Sequence, residues 1–286
     1  MEIYLFERVV VIMNYRENLG YVYPERSDEH MIDVPHLRDT NFDENYKYID
    51  KSWWKRFKKG VLNVLLNTIV FLVVNIRHGL KIYGKENFKK HKKLYKDGAI
   101  TICNHVFYWD YLCVLQVIKP VMPHLIAWKT NFEGPNGGII DWVGGVPVPT
   151  DNFRAMAKFQ KAIDEALENK EWLHVFPEGS MWFYYPDIRP LKPAAFKFAY
   201  KHNKPIIPMA ISFRKRKGIT RLFSKKPLVN LHVGEPILPD LTLDKKEAID
   251  KMHKEAYRVM QELVGIKPGD PTYNEDQNIE NYRKTM

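Results

Sequence analysis

The amino-acid sequence predicts an α/β fold, a mainly parallel central sheet flanked by helices, with a separate helical segment ahead of it. Three observations lead there. From Lys81 onward, short β-branched or apolar runs alternate with helix-patterned stretches, the pattern of strand–helix–strand units. A sixteen-residue apolar run, Val61 to Ile76, precedes them. The chain has 286 residues, 45% hydrophobic and 27% charged, enough for one large domain with a sizeable core.

The elements follow in order. Glu25 to Asp50 carries eight acids against three bases, and Lys51 to Lys96 carries thirteen bases and one acid, Glu86. A boundary therefore falls near Asp50. Residues 1–50 read as an acidic N-terminal extension, irregular or loosely packed. Its start, MEIYLFERVVVIM, is no secretory signal: Glu2 and Glu7 spoil a basic region, and Val9–Met13 is too short. Next comes SWWKRFKKG, then the apolar run. As a helix that run covers roughly 24 Å, short of a ~30 Å hydrocarbon core. Arg56, Lys59, Asn63 and Asn67 share one face at 100° per residue, and Trp53 and Trp54 sit among the bases as interfacial anchors do. Residues 51–80 are expected to form a basic, aromatic helix that docks in the membrane surface. A core helix with a basic cap and a true span are the alternatives.

Beyond it, AITIC, HLIAW, GGVPV, EWLHVF, PIIPMAISF and PLVNLHVGEP read as strands. Helices are expected from about Tyr108, from Asn152, over KPAAFKFAYKHN, and over KKEAIDKMHKEAYRVMQELVG, ended by Gly265. Residues 266–286 read as a polar tail.

Lysine and arginine exceed the acids, giving a net charge of +10, which suits an anionic partner: nucleic acid, an acidic membrane surface or a phosphorylated substrate. The two cysteines, Cys103 and Cys113, form neither a CxxC pair nor a disulfide framework, consistent with a reducing compartment. The sequence has no GxSxG, GxxxxGK[ST], HExxH, Cys/His metal spacing, RNA-recognition or zinc-finger pattern.

The chemistry-bearing stretches lie just past strands, where ligands of open α/β sheets bind. Asn104-His105 follows AITIC, and Asp110 completes an HxxxxD spacing. Two residues five apart on one helix point 140° apart. They meet only if His105 stays on the loop and Asp110 opens the helix. The carboxylate then fixes one imidazole nitrogen and leaves the other to take a proton from a hydroxyl. On spacing alone, a histidine that merely caps the helix is the plainer reading. Pro177-Glu178-Gly179-Ser180 follows EWLHVF, and Glu178 there orients a substrate hydroxyl or pairs with a local base. Arg154, Arg189 and Lys192 are candidate phosphate ligands, though each alone is more often a solvated surface charge.

In order, NHVFYWD, GGVPVPTDN, FPEGSMW and PIIPMAIS resemble the four motifs of the glycerolipid acyltransferase family, the 1-acylglycerol-3-phosphate and glycerol-3-phosphate O-acyltransferases, over roughly Lys81 to Pro236. The resemblance implies that residues 81–265 are a catalytic domain and that His105, held by Asp110, deprotonates a hydroxyl of lysophosphatidate or glycerol 3-phosphate. The alkoxide then attacks the thioester of acyl-CoA or acyl carrier protein, a co-substrate, with no further cofactor and no metal. It also implies a substrate site built from Asn104, Glu178, Gly179, Ser180, Arg154, Arg189 and Lys192. The expected place is the cytoplasmic face of the cell membrane, peripheral or monotopic, on anionic lipid and without nucleic acid. Three positions depart from the family pattern: Thr150 and Met181 stand where arginines are usual, and Ala194 where a glycine is. The competing reading is a lipid-binding protein of the same fold without catalysis.

Overall fold

The computed structural model describes residue 16, residues 19–218 and residues 220–277. The N-terminal MEIYLFERVVVIM and most of the polar tail lie outside the described residues. Seven strands form one sheet: β1 Lys81–Tyr83, β2 Ile100–Ile102, β3 His124–Trp128, β4 Gly145–Val148, β5 Leu173–Val175, β6 Ile206–Arg214 and β7 Leu228–Val233. Its order is β1-β7-β6-β2-β5-β3-β4. Every neighbouring pair is parallel except β6 with β7. The expected mixed, mainly parallel α/β architecture is the observed one.

The helices are α1 Trp53–Leu65, α2 Phe71–His78, α3 Lys85–Lys90, α4 Asp110–Ile118, α5 Thr130–Glu133, α6 Gly137–Trp142, α7 Phe153–Glu168, α8 Ala194–His202, α9 Thr220–Phe223 and α10 Lys245–Leu263. Asn152 and Asp244 cap α7 and α10 with their side chains, satisfying amides that have no partner inside the helix. Along β6 side chains alternate, as strand geometry requires. Ile207, Met209, Ile211 and Phe213 pack into one cluster with residues of α2 and α4. Ile206 and Ala210 pack into the other with residues of α7, α8 and α10. The sheet is thus the middle of three layers. The short helices α3, α5 and α6 carry no periodic pattern long enough to be read from the sequence.

α1 and α2 are joined by a π-helical turn, Leu66–Val70, into one helix of 26 residues, Trp53–His78. It is long and apolar enough to cross a membrane by length and composition, with 22% of its most apolar window buried. Leu62, Leu66, Phe71 and Val74 face the core, while Trp53, Phe57, Val64, Ile69, Leu72 and Ile76 are exposed. Both ends are tied to the domain. Lys55 Nζ pairs with Asp141 at 2.5 Å, and the Arg216 guanidinium donates to the Arg77 carbonyl at 2.6 Å.

Residues 19–50 form no helix or strand, as expected, but they are not loosely packed. Tyr23 stacks on Trp182 with ring centroids 5.5 Å apart, His30 on Trp128 at 3.9 Å, and Tyr48 meets Phe159 edge-on at 5.8 Å. Aromatic burial of this kind replaces the missing backbone ladder. The arm is therefore part of the surface of the α/β domain.

Gly84 closes the turn between β1 and α3 with φ +71°, and a Cβ there would run into the Val233 carbonyl of β7. Gly84→Ala is expected to lower the unfolding free energy by at least about 2 kcal/mol, measured by urea denaturation.

Candidate active site

β2 and β5 are neighbours and parallel, so their carboxyl ends put the two loops of interest side by side. β2 ends at Ile102 and releases Cys103, Asn104 and His105. β5 ends at Val175 and releases Phe176 to Ser180.

The loop-to-helix arrangement is present. His105 precedes α4 and Asp110 is the helix's first residue. His105 Nδ1 lies 2.6 Å from Asp110 Oδ2. The carboxylate also accepts the amides of Val106 at 3.1 Å and Tyr111 at 2.7 Å, and its side chain is 2% exposed. The imidazole stacks on Phe176, centroids 4.0 Å apart. It is 24% exposed, and its Nε2 has no protein partner among the described residues. A carboxylate held by two backbone amides orients the ring and supports the tautomer whose Nε2 is an acceptor.

The other predicted site residues divide sharply. Asn104 is fully buried: its amide nitrogen donates to the Ile211 carbonyl at 3.0 Å and its oxygen accepts the Ile211 amide at 2.7 Å. It extends the β2–β6 pairing by one side chain and has no face left for substrate. Glu178 is equally withdrawn. Its Oε2 accepts the His105 amide at 3.0 Å and Arg189 Nη2 at 2.8 Å, and its Oε1 accepts the Arg189 amide at 2.9 Å. The expectation of a local base as its partner is met by Arg189; a substrate hydroxyl is out of its reach.

Arg189 does not reach toward a phosphate. Its side chain is 0% exposed. Nη1 donates to the Ser27 carbonyl and to Ser180 Oγ, both at 2.7 Å, Nη2 also donates to the Ser180 carbonyl, and the guanidinium lies over Trp182. Ser180 is buried beneath it. Gly179 turns with φ +81°, and a Cβ there would strike the Lys192 side chain, so the lysine lies across this turn. Lys192 is half exposed, with Asp28 at 3.9 Å. Arg154 is exposed at the start of α7, just past β4. That strand stands three places from β2, roughly 14 Å at normal strand spacing. Of the three basic candidates, Lys192 alone is both accessible and beside the turn.

The sequence reading missed the arm. Ser27 supplies a carbonyl to Arg189, Trp182 Nε1 donates to the Glu29 carbonyl at 2.9 Å, and Tyr23 Oη donates to the Phe183 carbonyl at 3.0 Å. The tyrosines were the available signal, without a period to interpret them. His174, one strand position behind the site, was also missed. It is fully buried, its Nδ1 2.8 Å from Thr101 Oγ1. Burial first, and the nearby His105 second, push its pKa down to about 3. Cys103 and Cys113 are free and buried, their thiols pushed up by burial. Among the described residues no group of three or more His, Cys, Asp or Glu is placed to hold a metal ion.

Residues 79–212 match the family model described as Acyltransferase. This stretch begins at the end of α2, contains both loops and closes within β6. The solved structure of the 1-acyl-sn-glycerophosphate (LPA) acyltransferase PlsC from Thermotoga maritima is similar at 18% identity and TM-score 0.46, covering 73% of this chain and 88% of that one. No curated protein matches the chain.

A histidine whose folded pKa is depressed binds fewer protons than in the unfolded chain, so stability falls as pH drops below the unfolded value. For His174 that window runs from 6.5 down toward about 3. His174→Gln is expected to flatten the acid side of the stability profile, by up to about 1.4 kcal/mol per pH unit. Urea unfolding at stepped pH checks this; identical slopes in parent and variant would count against it.

Proposed function

We propose that this chain is a membrane-associated O-acyltransferase of phospholipid biosynthesis, moving a fatty acyl group from acyl-CoA or acyl carrier protein to a hydroxyl of lysophosphatidate or glycerol 3-phosphate. The observation that carries the reading is the 2.6 Å contact between His105 Nδ1 and Asp110 Oδ2, with the opposite ring edge open, inside the stretch that matches the Acyltransferase family model. Nε2 takes the proton of the acceptor hydroxyl. The oxygen attacks the thioester carbonyl carbon, the C–S bond breaks, and the departing sulfur takes a proton back from His105. A thioester is already activated, so the step needs no acyl-enzyme. The Asp110 carboxylate stabilises the transient imidazolium.

Membrane association is supported by the exposed stripe from Trp53 to Ile76. Because its opposite face is packed on the domain and both ends are tied down, the helix is read as lying in the interface rather than spanning. His78 at its end meets Phe107 of the catalytic loop, ring centroids 5.5 Å apart. His78 thus links the end of the helix to Phe107, two residues along the chain from His105. Lys192 is the acceptor-phosphate ligand favoured by its position across the Gly179 turn.

Purified His105→Ala is expected to lose acyl transfer, followed as free thiol released and as labelled lipid product over a panel of acceptors, by at least about a thousandfold. It should keep its thermal transition and its binding to vesicles. Turnover at the parent rate in the variant would end this reading. Vesicle binding by the parent without thiol release on any acceptor would favour a lipid-binding protein instead.

A further inference from the structure

The connection from β6 to β7 contains RKRKGITRLFSKK, Arg214 to Lys226, with seven bases and no acid. β6 runs parallel to β2 and beside it, so this loop leaves the sheet at the same end as His105, one strand away. Arg214 is spent on structure, its guanidinium donating to the carbonyls of Gly79 and Val229 and to Asn230. Arg216 turns to the end of α2: Nη2 donates to the Arg77 carbonyl at 2.6 Å and Nε to the Lys226 carbonyl at 2.7 Å. Both acceptors are neutral, so the charge stays uncompensated. The Lys226 ammonium lies 5.7 Å from the Tyr184 ring centroid, and Tyr184 donates its amide to the Val106 carbonyl at 2.8 Å. Arg77, Arg216 and Lys226 therefore converge beside the catalytic loop. Half-buried His78 registers this: burial first, then Arg77, Arg216 and Lys226, push its pKa down to about 4. Among the described residues, no carboxylate forms an ion pair with Arg77, Arg216, Arg221, Lys225 or Lys226.

The apolar stripe of the long helix runs straight into this cluster. Ile76, the residue before Arg77, is 74% exposed, and Leu222 within the loop is 84% exposed. An apolar strip continued by unpaired cations is complementary to one surface, a bilayer whose phosphates are anionic. We propose that the β6–β7 loop is a second membrane contact, a basic finger whose Arg216, Arg221, Lys225 and Lys226 side chains, with Arg77 at the end of α2, bind anionic lipid headgroup phosphates beside the mouth of the His105 site. This rests on the reading that the enzyme works at a membrane. The helix is about 39 Å long, with tryptophans at its start and the finger at its end. Two contacts so far apart fix the tilt of the domain and turn the carboxyl ends of the strands, with His105, toward the lipid.

The test uses the full chain with Arg221→Gln, Lys225→Gln and Lys226→Gln combined, all exposed positions. Sedimentation with phosphatidylcholine vesicles, with and without phosphatidylglycerol, reads the membrane contact. Thiol release with the acceptor in neutral detergent micelles reads the chemistry. The expected result is a loss of roughly a hundredfold in affinity for the phosphatidylglycerol vesicles, unchanged partition to phosphatidylcholine alone, and unchanged kcat and KM in micelles. Unchanged affinity for the anionic vesicles overturns the proposal. So does an equal loss on both vesicles. A raised acceptor KM in micelles with vesicle binding intact overturns it as well, by assigning the cations to the acceptor's own phosphate. Absence of thiol release in the parent would strike the enzymatic reading alone, since the vesicle comparison does not depend on turnover.

Discussion

A carboxylate shut away from solvent remains tolerable only when opposite charge and hydrogen-bond donors replace the water it has lost, and Glu178 is held in this way. Arg189 supplies two donors, one from its guanidinium and one from its backbone, and His105 supplies a third through its amide. Desolvating such a pair costs several kcal/mol per ion before attraction offsets it. Its effect here is positional: it couples the loop after β2, the loop after β5 and the segment at Arg189. Ser27 of the arm completes the set by accepting from the same guanidinium. Removing either charged side chain, Glu178 or Arg189, leaves the other charge buried and uncompensated, a loss of about 3–5 kcal/mol in comparable cases.

This division of labour explains why so many polar residues near the site have no substrate to hold. Asn104 is committed to Ile211, Ser180 to Arg189, and Asp110 to the His105 ring and the backbone at the start of α4. The polar groups rigidify a frame in which one imidazole edge stays available. In the proposed reaction, pre-organisation of that kind would lower the cost of bringing hydroxyl, base and thioester together, because the base would not have to be ordered in the transition state.

The fold was legible because its information is local. β-branched runs marked β2, β3, β5, β6 and β7, Asn152 marked a helix start and Gly265 a helix end, and the 140° argument placed His105 on a loop and Asp110 on a helix. What escaped depends on topology. Arg189 reads as a surface cation until Ser27, 162 residues away, is seen to bury it. The arm has aromatic residues but no period, so Tyr23 and Tyr48 gave no hint of their partners. The bases of the β6–β7 loop look like ordinary solvated charge until strand order sets them beside the end of the long helix.

The account turns on Glu178 as the group that sets the position of the loop carrying His105, and Glu178→Gln reads that directly. The amide keeps the side chain's size and removes its charge. Hydrogen exchange at the His105 and Arg189 amides, followed together with kcat for thiol release, should show faster exchange at both and a kcat lowered by about a hundredfold or more with KM little changed. Parent-like protection of the His105 amide, with parent-like kcat, would contradict the account.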